Sequence, residues 1–174
     1  KERIQNINQA DLSNALLLIN KGDSKGAKDI CLKILEKEPK SFDALQLLGT
    51  IFLQQEKFLT AIDFFEKALK INQLEAIVWS NRALALMGIN KLEEALTSVN
   101  RALEINAQSS DACYNKANIL SKMGRFNEAL VFIESYLKIN PQQYLGWSFK
   151  AKIHIALKQL DPAISSYRQA LLLE

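Results

Sequence analysis

Few side chains in this sequence are of a kind that does covalent chemistry, and none stands in a pattern that supports it. The single histidine, His154, needs an orienting partner to act as a base; alone, it reads as a packed, hydrogen-bonded side chain. Cys31 and Cys113 lie too far apart for a metal-ligand spacing and read as small buried apolar residues. The stretch KGDSKG, Lys21–Gly26, has the glycines and lysine of a phosphate loop without its spacing or preceding strand, so it reads as a turn. The adjacent Glu93 and Glu94 read as a solvated helix face. What remains is binding chemistry. Asn81 and Asn115 are 34 residues apart. An amide offers one acceptor and two donors, which suits the C=O and N–H of an extended peptide backbone. The residues therefore point to a non-enzyme, with no cofactor and no metal.

The spacing of those asparagines belongs to a larger pattern. Ala27, Ala61, Ala95, Ala129 and Ala163 recur every 34 residues without insertion or deletion. Eight residues after each stands a leucine: Leu35, Leu69, Leu103, Leu137 and Leu171. Twelve before each is a small residue: Ala15, Gly49, Ala83, Ala117 and Ala151. A second small position falls at Ala68, Ala102 and Ala170, with Ile34 and Tyr136 as exceptions. Small residues at fixed positions let two helices approach to about 8 Å. A strict period in this range marks a stacked-repeat architecture.

Each unit reads as two amphipathic helices of about 14 residues. Turns are expected at Lys21-Gly22-Asp23, Met87-Gly88 and Met123-Gly124-Arg125. Asp161-Pro162 is expected to cap and start the last helix, and Pro39 and Pro141 close the first and fourth units. Six glycines and three prolines leave little turn material for an all-β fold. A 48% hydrophobic and 24% charged composition fits a globular chain. The net charge of +3 is too small to argue for nucleic acid or an anionic membrane, and no apolar run nears the roughly 20 residues of a membrane span.

On these residues the chain resembles the tetratricopeptide repeat family over residues 8–174. The family frame places an aromatic, then Leu-Gly, then Tyr, Ala, Phe, Ala and Pro. Trp79 and Trp147 hold the aromatic position, Leu48-Gly49 the Leu-Gly pair, and Phe65 or Tyr167 the later aromatic. Asp11, Leu45 and Cys113 depart from the aromatic, and Gln73 and Ala107 from the closing proline. Pentatricopeptide arrays, which read RNA, run at 35 residues and do not fit. The resemblance implies an all-α, right-handed superhelical solenoid of antiparallel helix pairs. Its units would be 8–41, 42–75, 76–109, 110–143 and 144–174, with residues 1–7 as a lead-in. The sequence opens on Lys1 rather than Met, which reads as an excised fragment. Unit one is polar where others are apolar, as a cap would be, whereas the apolar end at Leu171-Leu172-Leu173 reads as continuing into further chain or packing on another molecule.

The resemblance also implies a concave groove lined by first helices. Carried onto this sequence, its peptide-binding candidates are Leu47, Asn81, Leu84, Met87, Tyr114, Asn115, Asn118, Phe149 and Lys152. Asn81 and Asn115 resemble the asparagine ladder of tetratricopeptide-containing O-linked N-acetylglucosamine transferases; the alternative is that each amide bonds an adjacent repeat. The family's dicarboxylate clamp is absent: its slots hold Gln46, Thr50, Asn81, Asp111 and Asn115, or Ser80, Leu84, Asn115, Leu145 and Phe149. The expected function is a cytoplasmic protein-interaction scaffold for a protein or peptide with apolar side chains, binding no nucleic acid and no membrane. The alternatives are an accessory superhelix of a larger glycosyltransferase or sulfotransferase, or a module that self-associates through the groove or the C-terminal end.

Overall fold

A computed structural model describes the backbone of residues 2–174 and side chains from residue 9 onward. Its helices are α1 (Glu2–Asn20), α2 (Ser24–Lys37), α3 (Phe42–Gln54), α4 (Phe58–Leu69) and α5 (Ala76–Gly88). They continue as α6 (Leu92–Ile105), α7 (Ser110–Lys122), α8 (Phe126–Ile139), α9 (Tyr144–Ala156) and α10 (Leu160–Leu173). Consecutive helices pair as five hairpins, and each hairpin stacks on the next. The first helix takes in residues 2–7, because no proline or glycine interrupts the run from Glu2 to Asn20; the stretch expected as a lead-in is helical.

The turn inside each hairpin repeats with the same period as the sequence. One residue per unit takes a left-handed backbone: Gly22, Glu56, Asn90, Gly124 and Lys158, at φ 81°, 57°, 61°, 75° and 60°. From the residue that follows, an N–H reaches back to a carbonyl of the preceding helix. Asp23 bonds Leu18, Lys57 bonds Phe52, Lys91 bonds Leu86, Arg125 bonds Leu120 and Gln159 bonds His154, each at 2.9 Å. This is the six-to-one closure of a Schellman turn. Left-handed backbone costs a side-chain-bearing residue about 1–2 kcal/mol, and three of the five turns bear it. Two expectations change here. Gly88 ends α5 and the turn follows at Asn90, while α10 is preceded by Gln159 at its cap, with Asp161 and Pro162 inside the first turn.

The small positions lie where the helices cross. Ala27, Ala61, Ala95, Ala129 and Ala163 are all buried, as are Ala15, Gly49, Ala83, Ala117 and Ala151. At Gly49 the contact is close enough to demand glycine: a Cβ there would stand 2.5 Å from the Phe65 ring. Four clusters of buried side chains follow the chain, one near each stacking junction, and together they make a continuous elongated core. Among the described residues no helix is long and apolar enough to cross a membrane.

Candidate functional site

First helices stand side by side, α3 against α5 and α5 against α7, so their outward residues share one face. In that face lies a hollow of about 600 Å³. Thr50, Leu53 and Gln54 of α3 form one wall, Asn81, Leu84, Met87 and Gly88 of α5 the floor, and Lys122 of α7 the far rim. Glu56 and Phe58 close the turn side. The Phe58 ring stands against Gly88, where a Cβ would come within 2.6 Å of it. Glycine at the end of α5 thus lets this ring wall the hollow.

Three of the sequence candidates, Asn81, Leu84 and Met87, meet in this hollow. Asn81 is half-buried and makes no side-chain hydrogen bond among the described residues, so its amide faces the hollow unengaged. Leu47 lies elsewhere, in a hollow of about 280 Å³ between α1 and α3 with Leu12, Ser13, Leu16 and Gln46.

Four of the remaining candidates, Tyr114, Asn115, Asn118 and Phe149, make contacts within the protein. Asn115 is only 9% exposed, and its amide nitrogen donates to the Ser80 hydroxyl at 3.0 Å. One of the two asparagine positions thus makes a contact between adjacent repeats, the alternative that the sequence left open. Its geometry follows a rule of the stack, in which the sixth residue of a unit meets the fifth of the unit before. Phe149 obeys it too, with its ring centroid 5.7 Å from that of Tyr114. Tyr114 in turn lies 5.0 Å from Tyr136. Burial, reinforced by Tyr114 and Asp111, pushes the Tyr136 hydroxyl above its ordinary value, so at neutral pH it stays protonated. Asn118 donates to the Tyr114 carbonyl on its own helix at 3.3 Å. Lys152 is exposed and lines neither hollow.

Thr50, Leu53, Gln54, Glu56, Phe58, Gly88 and Lys122 complete the hollow around Asn81, Leu84 and Met87. Phe58 and Glu56 sit outside the first helix, where a groove pattern based on first-helix positions does not look. The residues read as non-catalytic keep ordinary roles. His154 is buried with Nδ1 2.7 Å from the Gln159 carboxamide oxygen. Asp23 of KGDSKG caps α2 by accepting from the Gly26 N–H at 2.9 Å. Glu94 pairs with Lys91 at 2.8 Å on the outer surface. Among the described residues no group of three potential metal ligands gathers.

Comparison with known proteins places the architecture. Two family models described as tetratricopeptide repeat match the chain, one over residues 86–153 and the other over 42–73 and 146–174. No curated protein sequence matches it. Among solved structures it is similar to the Pseudomonas aeruginosa pilF protein, 22% identical, with a TM-score of 0.88 over 98% of this chain and 78% of that one. It is similar also to MamA, 21% identical, with a TM-score of 0.80 over 91% and 93% of the two chains. A third is YrrB, described as a TPR protein with an unusual peptide-binding site, 20% identical, with a TM-score of 0.74 over 94% and 84%. At such identities the likeness is one of fold.

Proposed function

Because the chain belongs to the tetratricopeptide repeat family, and is thereby a protein-interaction scaffold, we propose that it holds an extended peptide in the hollow of units two to four. The observation that carries this reading is the unengaged Asn81 amide set among Leu53, Leu84 and Met87. One donor–acceptor pair on an apolar floor would fix a peptide backbone while apolar side chains fill the space beside it. Met87 suits such a site because an unbranched thioether adapts to varied shapes. Lys122 and Glu56 place one charge of each sign at the edge of the hollow, so its lining carries no net charge. The peptide-binding site of YrrB lends support by analogy.

Peptides selected from a random display library on the full chain provide the test. Asn81→Ala should weaken a selected peptide about two- to tenfold, the worth of one neutral hydrogen bond, and Leu84→Asp should abolish its binding. Affinity should persist at high salt, since little of it is charge pairing. Equal affinity for both variants would place the site elsewhere.

A second reading rests on α10. Leu171 is 71% exposed, while Leu69 and Leu137 at the same unit position are 6% and 5% exposed. With Leu160 and Ile164 also exposed, this apolar face would pair with a second copy. Sedimentation of the wild type should then reveal a concentration-dependent dimer that Leu171→Asp dissolves.

A further inference from the structure

The fourth residue of each unit defines a second kind of site, away from the groove. In units three and five it is tryptophan, and the two indoles are held alike. Trp79 donates its ring N–H to the Gln73 carbonyl, and Trp147 to the Pro141 carbonyl, both at 2.9 Å. In each case the acceptor is the loop residue six positions earlier. A cation lies over each ring, Arg82 at 6.0 Å and Lys150 at 5.7 Å. The frame therefore builds a place for an indole, with a backbone acceptor at one end.

In unit two the same place is held by Leu45, and six residues earlier stands Pro39. Leucine is smaller than an indole and has no N–H to give. Between the α2–α3 loop and the end of α4 the structure opens a hollow of about 500 Å³, lined by Pro39, Lys40, Leu45, Lys67, Lys70 and Ile71. The two residues that mark the indole's place in the other units, the loop acceptor and the fourth position, both line it. Three lysines and no acid line it as well. Lys67 is paired with Asp63 at 2.7 Å, whereas Lys40 and Lys70 make no ion pair among the described residues.

We infer that this hollow receives the tryptophan side chain of an acidic peptide segment, with the indole filling the space left by Leu45 and the flanking carboxylates meeting Lys40 and Lys70. The volume lies in the range of ordinary ligand sites. The walls of Pro39, Leu45 and Ile71 bury a ring face, and cations beside an aromatic add attraction. The surrounding charge chooses the partner: a basic segment would meet the unpaired Lys40 and Lys70, an acidic one would form charge-assisted contacts with them. The site is independent of the concave groove, which lies on residues of α3, α5 and α7 that this hollow does not use.

The experiment titrates the full chain with a labelled peptide, acetyl-Glu-Glu-Trp-Glu-Glu-amide, by fluorescence anisotropy. Saturable binding is expected, weakened about tenfold or more when the peptide's tryptophan becomes alanine and weakened also by raised salt. Leu45→Trp fills the hollow from within and should block the peptide. Lys70→Glu, a surface change that leaves the core intact, should weaken it as well, so the outcome does not hang on how well the first variant packs. Asn81→Ala should leave this peptide unaffected, which separates the site from the groove. No saturable binding, or binding indifferent to both Leu45→Trp and Lys70→Glu, would overturn the inference.

Discussion

The junction between α4 and α5 and the junction between α6 and α7 are built on the same frame and held together differently. At the first, Trp79 bridges the loop, and Arg82 bonds Glu66 at 2.8 Å and the Ser98 hydroxyl at 2.6 Å. The α8–α9 junction repeats this with Trp147 and the Lys150–Glu134 pair at 2.8 Å. At the α6–α7 junction Cys113 replaces the tryptophan and Asn100 replaces the glutamate. There the Asn100 Oδ1 is buried without a hydrogen-bond partner, and the Lys116 ammonium lies 4.0 Å from the centre of the Phe132 ring. Burial lowers the Lys116 pKa, against the pull of Cys113 and Glu128. The α2–α3 junction also lacks the indole and also carries a buried cysteine, Cys31. Junctions bridged by an indole and junctions without one thus alternate along the array. In a solenoid, where stability sums over neighbouring interfaces, the junctions without the bridge are expected to open first.

The largest test of that contrast removes the bridge. Trp79→Ala or Trp147→Ala should cost about 3 kcal/mol, the low end for a large aromatic since each ring is partly exposed. Cys113→Ala should cost about 1 kcal/mol or less, because little apolar area is lost. Chemical denaturation measures both. Equal losses would mean that the tryptophans bridge nothing.

A smaller effect should appear in alkali, where the two buried cysteines of the junctions without an indole contribute to it. Burial pushes the Cys31 thiol from an ordinary 9.0 up to about 11, and burial raises Cys113 too, with Lys116 opposing. A folded-state pKa above the unfolded one means that folding favours the protonated thiol. That contribution is fully present below about pH 9 and is lost as pH climbs toward about 11. For Cys31 it amounts to about 2 kcal/mol. Unfolding free energy measured across this range should fall, and Cys31→Ala with Cys113→Ala should flatten the slope. A slope unchanged in the double variant would assign the loss to other groups, of which Tyr136 has the same sign.

The smallest effect converts one kind of junction toward the other. Asn100→Glu places a carboxylate where Glu66 and Glu134 stand, within the frame that brings Lys116 to the position of Arg82 and Lys150. A gain of about 0.2–1 kcal/mol is expected, the worth of a partly exposed ion pair. Destabilisation by the same change would mean that the α6–α7 junction has closed around the amide.

Most of the architecture was legible in the chain because it rests on residues that act locally. Unbroken spacing, small residues at fixed positions and leucines on one helix face state the hairpin, its period and its stacking partner without reference to distant structure. The turns were half legible: Gly22 and Gly124 announce a left-handed residue, but Glu56, Asn90 and Lys158 adopt it because the Schellman closure requires it of whichever side chain falls there.

The site divided along another line. The sequence put Asn81 and Asn115 at equivalent backbone positions, and the period guarantees that much. Where each amide goes depends on the fifth residue of the preceding unit, which only the packed structure brings beside it. For Asn115 that residue is Ser80, whose short hydroxyl takes the amide hydrogen bond at 3.0 Å. For Asn81 it is Gln46, with no such bond, and the amide stays in the hollow. The hollow beside Leu45 is of the same kind. The sequence shows Leu45 as a departure from the aromatic position, but the loop carbonyls and the surrounding lysines come beside it only in three dimensions. A repeat fixes where backbones lie, because it acts through local pattern; which side chains bind one another and which are left for a partner is decided by neighbours one unit away.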